Sequence, residues 1–124
     1  MIAVIGDIIK SKSIPDRHKT QQDLLDVLQR INQRHQDLLA SKFTITLGDE
    51  FQGLFKCSDR LLHILDEISF ALRPINIRFG IGVGTLTTEF DPSRSMGADG
   101  PAYWKAREAI EYVHRNNDYG RANI

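Results

Sequence analysis

The residues best suited to chemistry are three carboxylates at the ends of predicted strands. Asp7 follows an apolar run at residues 2–5, and Asp49 and Glu50 lie in a turn that begins at Gly48. Two carboxylates about 4 Å apart repel by about 4 kcal/mol at an effective dielectric constant of about 20, so such a pair shares a proton or holds a cation. With no Cys or His nearby, these oxygen ligands favour Mg²⁺ or Mn²⁺, completed by water and substrate phosphates. The alternative stays open that they only accept backbone hydrogen bonds in turns.

The elements that would position these carboxylates follow from hydrophobic periodicity and turn residues. We predict strands at 2–5, 43–47, 51–55 and 75–85, and helices from after Pro15 to about 41, from 58 or 59 to 73, and from about 101 to 114. Asp16 should cap the first helix, and Ser58 or Asp59 the second. The order β-α-β-β-α-β plus a helix is that of an α+β, ferredoxin-like sandwich, in which we expect the first and second helices each to cover one face. Because the first and third strands are antiparallel neighbours in this fold, Asp7 and Asp49 should converge at one rim of the sheet.

The composition is that of an ordinary globular domain. The chain has 124 residues, of which 41% are hydrophobic and 26% charged, and its 16 basic and 16 acidic residues leave no net charge. A domain of this size can bury a core without disulfides, and the single Cys57 excludes an internal one. Balanced charge argues against nucleic-acid binding, and no apolar run approaches the roughly 20 residues of a membrane span. We therefore expect a cytoplasmic single domain over residues 1–124 that handles a small molecule or another protein.

Two loops could contribute to a phosphate site. Lys10 and Ser11 follow Asp7 closely, where a lysine and backbone N–H groups could hold a triphosphate, although a solvated charged loop explains them equally well. Gly97 and Asp99 precede the third helix, whose N-terminus could receive an anion, although Asp99 could equally be its cap.

Glycines alternate along the last predicted strand. Gly80, Gly82 and Gly84 share one face with Arg78, because successive side chains of a strand point to opposite faces. A face without side chains permits close approach by a helix, a partner or a ligand. We favour a closely packed helix.

Two motifs resemble nucleotide cyclases. The segment TLGDEF at 46–51 resembles the hairpin of class III nucleotide cyclases, and its GDEF part is similar to the end of the GGDEF signature of diguanylate cyclases. The segment RFGIGVG at 78–84 resembles the R-x-G-I-x-x-G strand of class III cyclases. The resemblance implies a palm-like core that binds two metal ions through Asp7, Asp49 and the backbone carbonyl of Ile8, and we add Glu50 as an accessory ligand. The residues expected to face the bound nucleotide are Lys10, Ser11, Gly48, Gly97 and Asp99.

A closer resemblance covers nearly the whole chain. Residues 2–11, together with 43–55, are similar to the SatD family of bacterial proteins. Members of that family tend to be longer, which implies that these residues are the N-terminal part of a larger protein.

Departures from an active cyclase shape the functional prediction. Ile45 stands where ATP-using enzymes carry a purine-selecting Lys, and Tyr103 where they carry an Asn. Arg107, in contrast, matches the Arg that steadies the transferring phosphate. The pattern thus keeps the metal and phosphate end of the site and loses the base-reading end.

We therefore predict a domain that binds a nucleotide or polyphosphate with Mg²⁺ or Mn²⁺, and leave open whether it is also a divergent nucleotidyl cyclase. The alternatives are a non-catalytic regulatory sensor and a protein-interaction module linked to bacterial stress or acid tolerance. A homodimer is compatible with each, since cyclase-like palms often complete their sites across a two-fold axis.

Overall fold

The computed structural model describes residues 1–9, 15–85 and 100–116. Within these ranges the chain forms seven elements: β1 (Ile2–Ile8), α1 (Arg17–Arg34), β2 (Leu39–Leu47), β3 (Glu50–Phe55), α2 (Leu61–Ala71), β4 (Ile77–Val83) and α3 (Pro101–Asn116). This is the predicted order of strands and helices. None of the described helices is long and apolar enough to cross a membrane.

The four strands form one antiparallel sheet in the order β2-β3-β1-β4. The central strand β1 therefore pairs with β3 on one side and with β4 on the other. Asp7, near the end of β1, lies directly opposite Glu50 of β3 and Arg78 of β4. The predicted α+β, ferredoxin-like class and the predicted pairing of the first and third strands are both confirmed.

One face of the sheet carries both α1 and α2. Their buried side chains join Val4, Phe51 and Phe79 of the strands in a single apolar cluster. Phe51 packs edge-on against Phe43 and Phe79, with ring centroids 5.9 and 6.1 Å apart, an arrangement that aromatic rings favour. This cluster is the main core of the domain.

The prediction that α1 and α2 cover one face each was wrong. The connections β1-α1-β2 and β3-α2-β4 step across the sheet in opposite directions and start from strands of opposite orientation. Two right-handed crossovers related in this way place their helices on the same face. The opposite face is left for α3.

α3 packs closely against β4 through the glycine face of that strand. A Cβ atom built on Gly82 would lie 2.0 Å from the carbonyl oxygen of Ala102, and one built on Gly80 would lie 2.3 Å from that of Ala106. No side chain larger than hydrogen fits there, so helix and strand backbones meet directly. The prediction of a closely packed helix is confirmed. The small second core on this face consists of Ala3, Ile5, Ala40, Leu54, Ala102, Tyr103, Ala106 and Ile110.

The boundary between α1 and β2 differs from the prediction. α1 ends at Arg34, not near residue 41, and β2 already begins at Leu39. Leu39 and Ser41 pair with Phe55 and Leu54 of β3. The leucines at 38 and 39 fit both a helical period and a short strand, so hydrophobicity alone could not separate the two elements.

Helix capping was predicted correctly for α1 and wrongly for α2. The side chain of Asp16 accepts a hydrogen bond from a first-turn N–H group of α1. The cap of α2 is Arg60, which adopts a left-handed conformation with φ 61°. Ser58 takes part with its backbone carbonyl, which accepts from the N–H of Leu61 over 3.1 Å. The predicted caps, Ser58 and Asp59, therefore lie two residues and one residue before the observed cap.

Candidate functional site

Four charged side chains gather at the end of β1, on the face that α3 covers. Asp7, Glu50 and Arg78 are in register across three neighbouring strands, and Arg107 reaches Glu50 from α3. Directly opposite residues of a sheet project to the same side. Ile5, two residues before Asp7 on β1, belongs to the core under α3, which identifies that side. We call these four residues the charged cluster.

The first ion pair of the charged cluster joins Asp7 and Arg78. The Nε atom of Arg78 donates to Oδ1 of Asp7 over 3.1 Å, and only 11% of the Arg78 side chain and 28% of the Asp7 side chain are exposed. Burial raises the pKa of Asp7 above its ordinary value; Arg78 acts in the opposite direction, and the nearby carboxylate of Glu50 adds to the rise. Arg78 therefore does not fully offset the cost of burying the Asp7 carboxylate.

The second ion pair joins Glu50 and Arg107. Nη1 of Arg107 donates to Oε1 of Glu50, and Nη2 donates to Oε2 over 3.1 Å. Hydrogen bonding to Glu50 raises the pKa of Arg107 above its ordinary value. The planar fork of a guanidinium matches a carboxylate and a phosphate equally well. The position that Glu50 occupies against Arg107 is therefore one that a phosphate group could also occupy.

Asp49 contacts α1 instead of the charged cluster. Its Oδ2 atom pairs with Nη2 of Arg17 at 3.4 Å, and its Oδ1 atom accepts from Nε2 of Gln21 at 3.2 Å. The hairpin does begin beside the end of β1, as predicted, but the carboxylate placed directly opposite Asp7 is that of Glu50. Within the described ranges, no group of three or more His, Cys, Asp or Glu side chains is arranged to hold a metal ion.

The remaining predicted site residues fall into two groups. Ile8 is buried and pairs with Ile77 of β4, directly after Asp7. Gly48 has φ +59° in the hairpin turn, and a Cβ atom built on it would meet no atom within 4 Å. The predicted phosphate-binding residues that lie outside the described part of the chain are Lys10, Ser11, Gly97 and Asp99.

The structure adds residues that the sequence did not point out. Arg78 was placed on the glycine face, but its pairing with Asp7 depends on the register between β1 and β4. Arg17 and Gln21 stand in the first turns of a helix, where polar residues are common and carry no signal. His114 of α3 slightly lowers the pKa of Asp7 through its charge. Among these residues, only Arg78 could be placed from the sequence, because the alternation of side chains along β4 puts it on the glycine face.

The fold of the chain is similar to that of nucleotide cyclase domains. The guanylyl cyclase domain of the RhoGC fusion protein from the aquatic fungus Blastocladiella emersonii, described as a non-canonical dimer, is similar with a TM-score of 0.61 and 17% identity, over 87% of this chain and 71% of that one. The catalytic core of a rhodopsin–guanylyl cyclase with converted specificity, in complex with ATPαS, gives a TM-score of 0.59 and 19% identity, over 87% and 70% of the chains. The guanylate cyclase domain of RhGC from Catenaria anguillulae, in complex with GTP, gives a TM-score of 0.53 and 17% identity, over 87% of this chain and 70% of that one. At these identities the similarity shows a shared fold.

The family follows from a match along the full sequence. The model of the SatD family matches residues 1–124, so the chain belongs to the SatD family. A comparison with curated proteins gives no match.

Proposed function

We propose that the charged cluster binds a nucleotide or a related polyphosphate together with Mg²⁺ or Mn²⁺. The supporting observation is the arrangement itself, in which two carboxylates and two guanidiniums lie side by side at one edge of a cyclase-like sheet. Two of the similar cyclase structures contain a bound nucleotide: ATPαS in the rhodopsin–guanylyl cyclase core and GTP in the RhGC domain. A metal–polyphosphate complex carries both signs of charge, and the cluster offers a partner for each.

The chemistry of the donors fits such a complex through an exchange of ion pairs. Asp7 and Glu50 are opposite each other on β1 and β3, and carboxylate oxygens are the ligands that Mg²⁺ prefers. Asp7 and Glu50 would hold the metal ion, and Arg78 and Arg107 would then be without their carboxylate partners. Phosphate groups of the ligand would pair with the two guanidiniums in their place. The exchange leaves no buried charge unpaired, which would otherwise be strongly unfavourable.

The other predicted ligands extend this proposal. Asp49 is proposed as a metal ligand beside Asp7 and Glu50, and its bonds to Arg17 and Gln21 would have to open for that role. The backbone carbonyl of Ile8 is proposed as a further metal ligand, because it directly follows Asp7. The phosphate contacts proposed around them come from Lys10, Ser11, Gly48, Gly97 and Asp99.

A binding domain without turnover is the second candidate, and the packing of two side chains favours it. Tyr103, at the position where cyclases carry an Asn, is 5% exposed and belongs to the core between α3 and the sheet. Ile45, at the position of the purine-selecting Lys, packs against the core under α1 and α2. Neither can contact a nucleotide as its cyclase counterpart would. If the domain is catalytic, a ribose hydroxyl of the nucleotide attacks its own α-phosphate in line, loses its proton and displaces pyrophosphate, with Arg107 stabilising the developing charge.

Calorimetric titration with ATP and GTP, each with Mg²⁺ and with EDTA, tests the proposal. We expect binding that Mg²⁺ strengthens over EDTA and that Asp7→Asn weakens in Mg²⁺ by at least about tenfold, since one metal ligand is lost. Asp23→Asn is the matched control, because among the described residues Asp23 pairs with Lys19 on the outer side of α1 and not with the charged cluster. Chromatography after incubation then separates the two candidates, because only an enzyme yields a cyclic nucleotide or pyrophosphate. Failure of both nucleotides to bind would favour a structural interaction domain.

A homodimer and a cytoplasmic location are proposed alongside this function. One of the similar domains is dimeric, and nucleotides are cytoplasmic ligands. Light scattering on the purified chain, with and without nucleotide, tests the first of these proposals.

A further inference from the structure

A second concave surface lies on the α1 and α2 side of the sheet, away from the charged cluster. It is a groove of 780 Å³ formed by the C-terminal half of α2, the segment after it and the start of β4. A chamber of 140 Å³ between α1 and α2 adjoins it and shares Arg34, Glu67 and Phe70 with it. We call the two together the α2 groove. Its size lies within the range of about 300–1,000 Å³ that small-molecule sites occupy.

An exposed aromatic side chain stands in the α2 groove. Phe70 is 67% exposed, and it lies off the buried stripe of α2, which consists of Leu61, Ile64, Leu65 and Ile68. The hydrophobic core therefore does not explain a phenylalanine at this position. Ile75 and Ile77 continue the apolar surface at the start of β4.

The guanidinium of Arg73 is stacked on this aromatic ring. Its central carbon lies 3.8 Å from the ring centroid of Phe70, which is cation–π geometry. Stacking fixes the plane of a guanidinium and leaves the N–H groups at its edge available for a carboxylate or phosphate. Arg73 is thus oriented in advance for a carboxylate or phosphate group.

The charges of the α2 groove leave arginines available for such an anion. The carboxylate of Glu67 is engaged by Arg34 and lies 3.2 Å from Nε2 of His35. Over the described residues, neither Arg73 nor Arg30 has a carboxylate partner. The ionised groups that line the groove are Arg30, Arg34, Arg73, Asp66 and Glu67. Positive charge is therefore in excess, and it is concentrated around Phe70.

We propose that the α2 groove is a binding site for a small organic anion that carries a planar ring. The ring contacts Phe70 and the apolar surface of Ile75 and Ile77, and its carboxylate or phosphate group pairs with the edge of Arg73. Arg30 lines the adjoining chamber together with Phe70 and supplies a second positive charge. This site is independent of the nucleotide site proposed above, because the two use different residues on opposite faces of the sheet.

NMR titration of the full chain, in EDTA and without nucleotide, tests this proposal. Two probes, phenyl phosphate and benzoate, combine an aromatic ring with an anionic group. Two further probes carry a single feature each: benzyl alcohol has the ring without the charge, and inorganic phosphate has the charge without the ring. We expect saturable shifts of the amide signals of residues 69–77 with phenyl phosphate, benzoate or both. The single-feature probes should bind at least about tenfold more weakly, because each keeps only part of the contacts. Whichever ring anion binds identifies the preferred acidic group.

Three variants connect the shifts to the proposed contacts. Arg73→Gln should weaken binding by about tenfold, as expected for the loss of a charge-assisted hydrogen bond, and Phe70→Ser should do so independently. Arg115→Gln, at an exposed arginine in the last turn of α3, should leave binding unchanged. The proposal is overturned if neither ring anion shifts these signals saturably, or if Arg73→Gln and Phe70→Ser both bind like the wild type.

Discussion

Arg78 of β4 and Asp7 of β1 lie directly opposite each other in the sheet, joined by a hydrogen bond of 3.1 Å from Nε to Oδ1. On the other side of β1, Glu50 is paired with Arg107 of α3. Two ion pairs therefore stand next to each other under one helix, and each contains one group suited to a metal and one suited to a phosphate. Variants of Arg78, Asp7 and Glu50 test what this arrangement does for stability and for binding.

Removing Arg78 should destabilise the domain. Arg78→Met keeps the length of the side chain but leaves the Asp7 carboxylate partly buried without its partner, which we expect to cost about 2 kcal/mol in the free energy of unfolding. Urea unfolding measures this loss, and Lys105→Met, at an exposed position of α3, is the control. The double variant Asp7→Asn/Arg78→Met should recover part of the loss. Equal stability of Arg78→Met and the control would show that the pair does not stabilise the fold.

Asp7 should make stability depend on pH in an unusual direction. Because burial raises the pKa of Asp7 in the folded chain above the ordinary value of 3.8, protonation of this carboxyl group favours folding. This stabilising contribution is complete at pH values below the pKa of Asp7 in the unfolded chain. It is lost as the pH rises through the raised pKa of Asp7 in the folded chain. Asp7→Asn lacks it, so the stability of the wild type relative to Asp7→Asn should fall with rising pH.

The measurement is urea unfolding of both proteins in EDTA at a series of pH values from acid to neutral. At neutral pH we expect Asp7→Asn to be at least as stable as the wild type, since its amide oxygen can still accept from Arg78. A stability difference that grows in favour of the wild type as pH rises would mean that the ionised Asp7 stabilises the fold, contrary to this account.

Neutralising Glu50 should separate metal binding from phosphate binding. In Glu50→Gln, Arg107 loses its charged partner, so the affinity for GTP in EDTA should rise by about fivefold, as for a partly exposed ion pair of about 1 kcal/mol. The gain in affinity on adding Mg²⁺ should shrink at the same time, because one carboxylate near the metal is gone. Calorimetry measures both, and Glu108→Gln on the exposed side of α3 is the control. Unchanged affinity in EDTA would mean that Glu50 does not compete with phosphate for Arg107.

A methyl group on the glycine face should displace α3. Gly82→Ala would bring a Cβ atom to 2.0 Å from the carbonyl oxygen of Ala102, and we expect a loss of about 3 kcal/mol, typical of severe overpacking. Gly84→Ala is the matched control, because its Cβ atom would lie 3.1 Å from the amide nitrogen of Ala102, a much milder contact than that of Gly82→Ala. Thermal unfolding of both variants measures the difference. Equal midpoints would show that α3 does not depend on this close approach.

The sequence predicted most of the elements because their signals are local. The apolar run of β1, the alternation around the hairpin and the helix start at Pro101 all appear at or near the predicted places. The end of α1 was misplaced because Leu39 suits a helix and a strand equally. The faces of α1 and α2 were misassigned because they depend on the direction of two crossovers, a property of the whole sheet.

The candidate site was predicted in part for the same reason. That the end of β1 meets the hairpin followed from topology, and the structure shows Asp7 opposite Glu50. Which acid faces Asp7 is a matter of register, and a shift of one residue exchanges Asp49 for Glu50. The partners of Asp49 lie on α1, 28 and 32 residues earlier in the chain, and no sequence pattern marks such contacts.

The most direct test of the central claim is paramagnetic broadening of NMR signals by Mn²⁺ in the presence of GTP. Mn²⁺ broadens signals close to the ion, so substoichiometric amounts reveal which residues surround it. The account predicts selective broadening of the amide signals at residues 6–8, 49–51 and 77–79, and loss of that broadening in Asp7→Asn. Signals that stay sharp at these positions, or that broaden equally in Asp7→Asn, would contradict a metal–nucleotide site at the charged cluster.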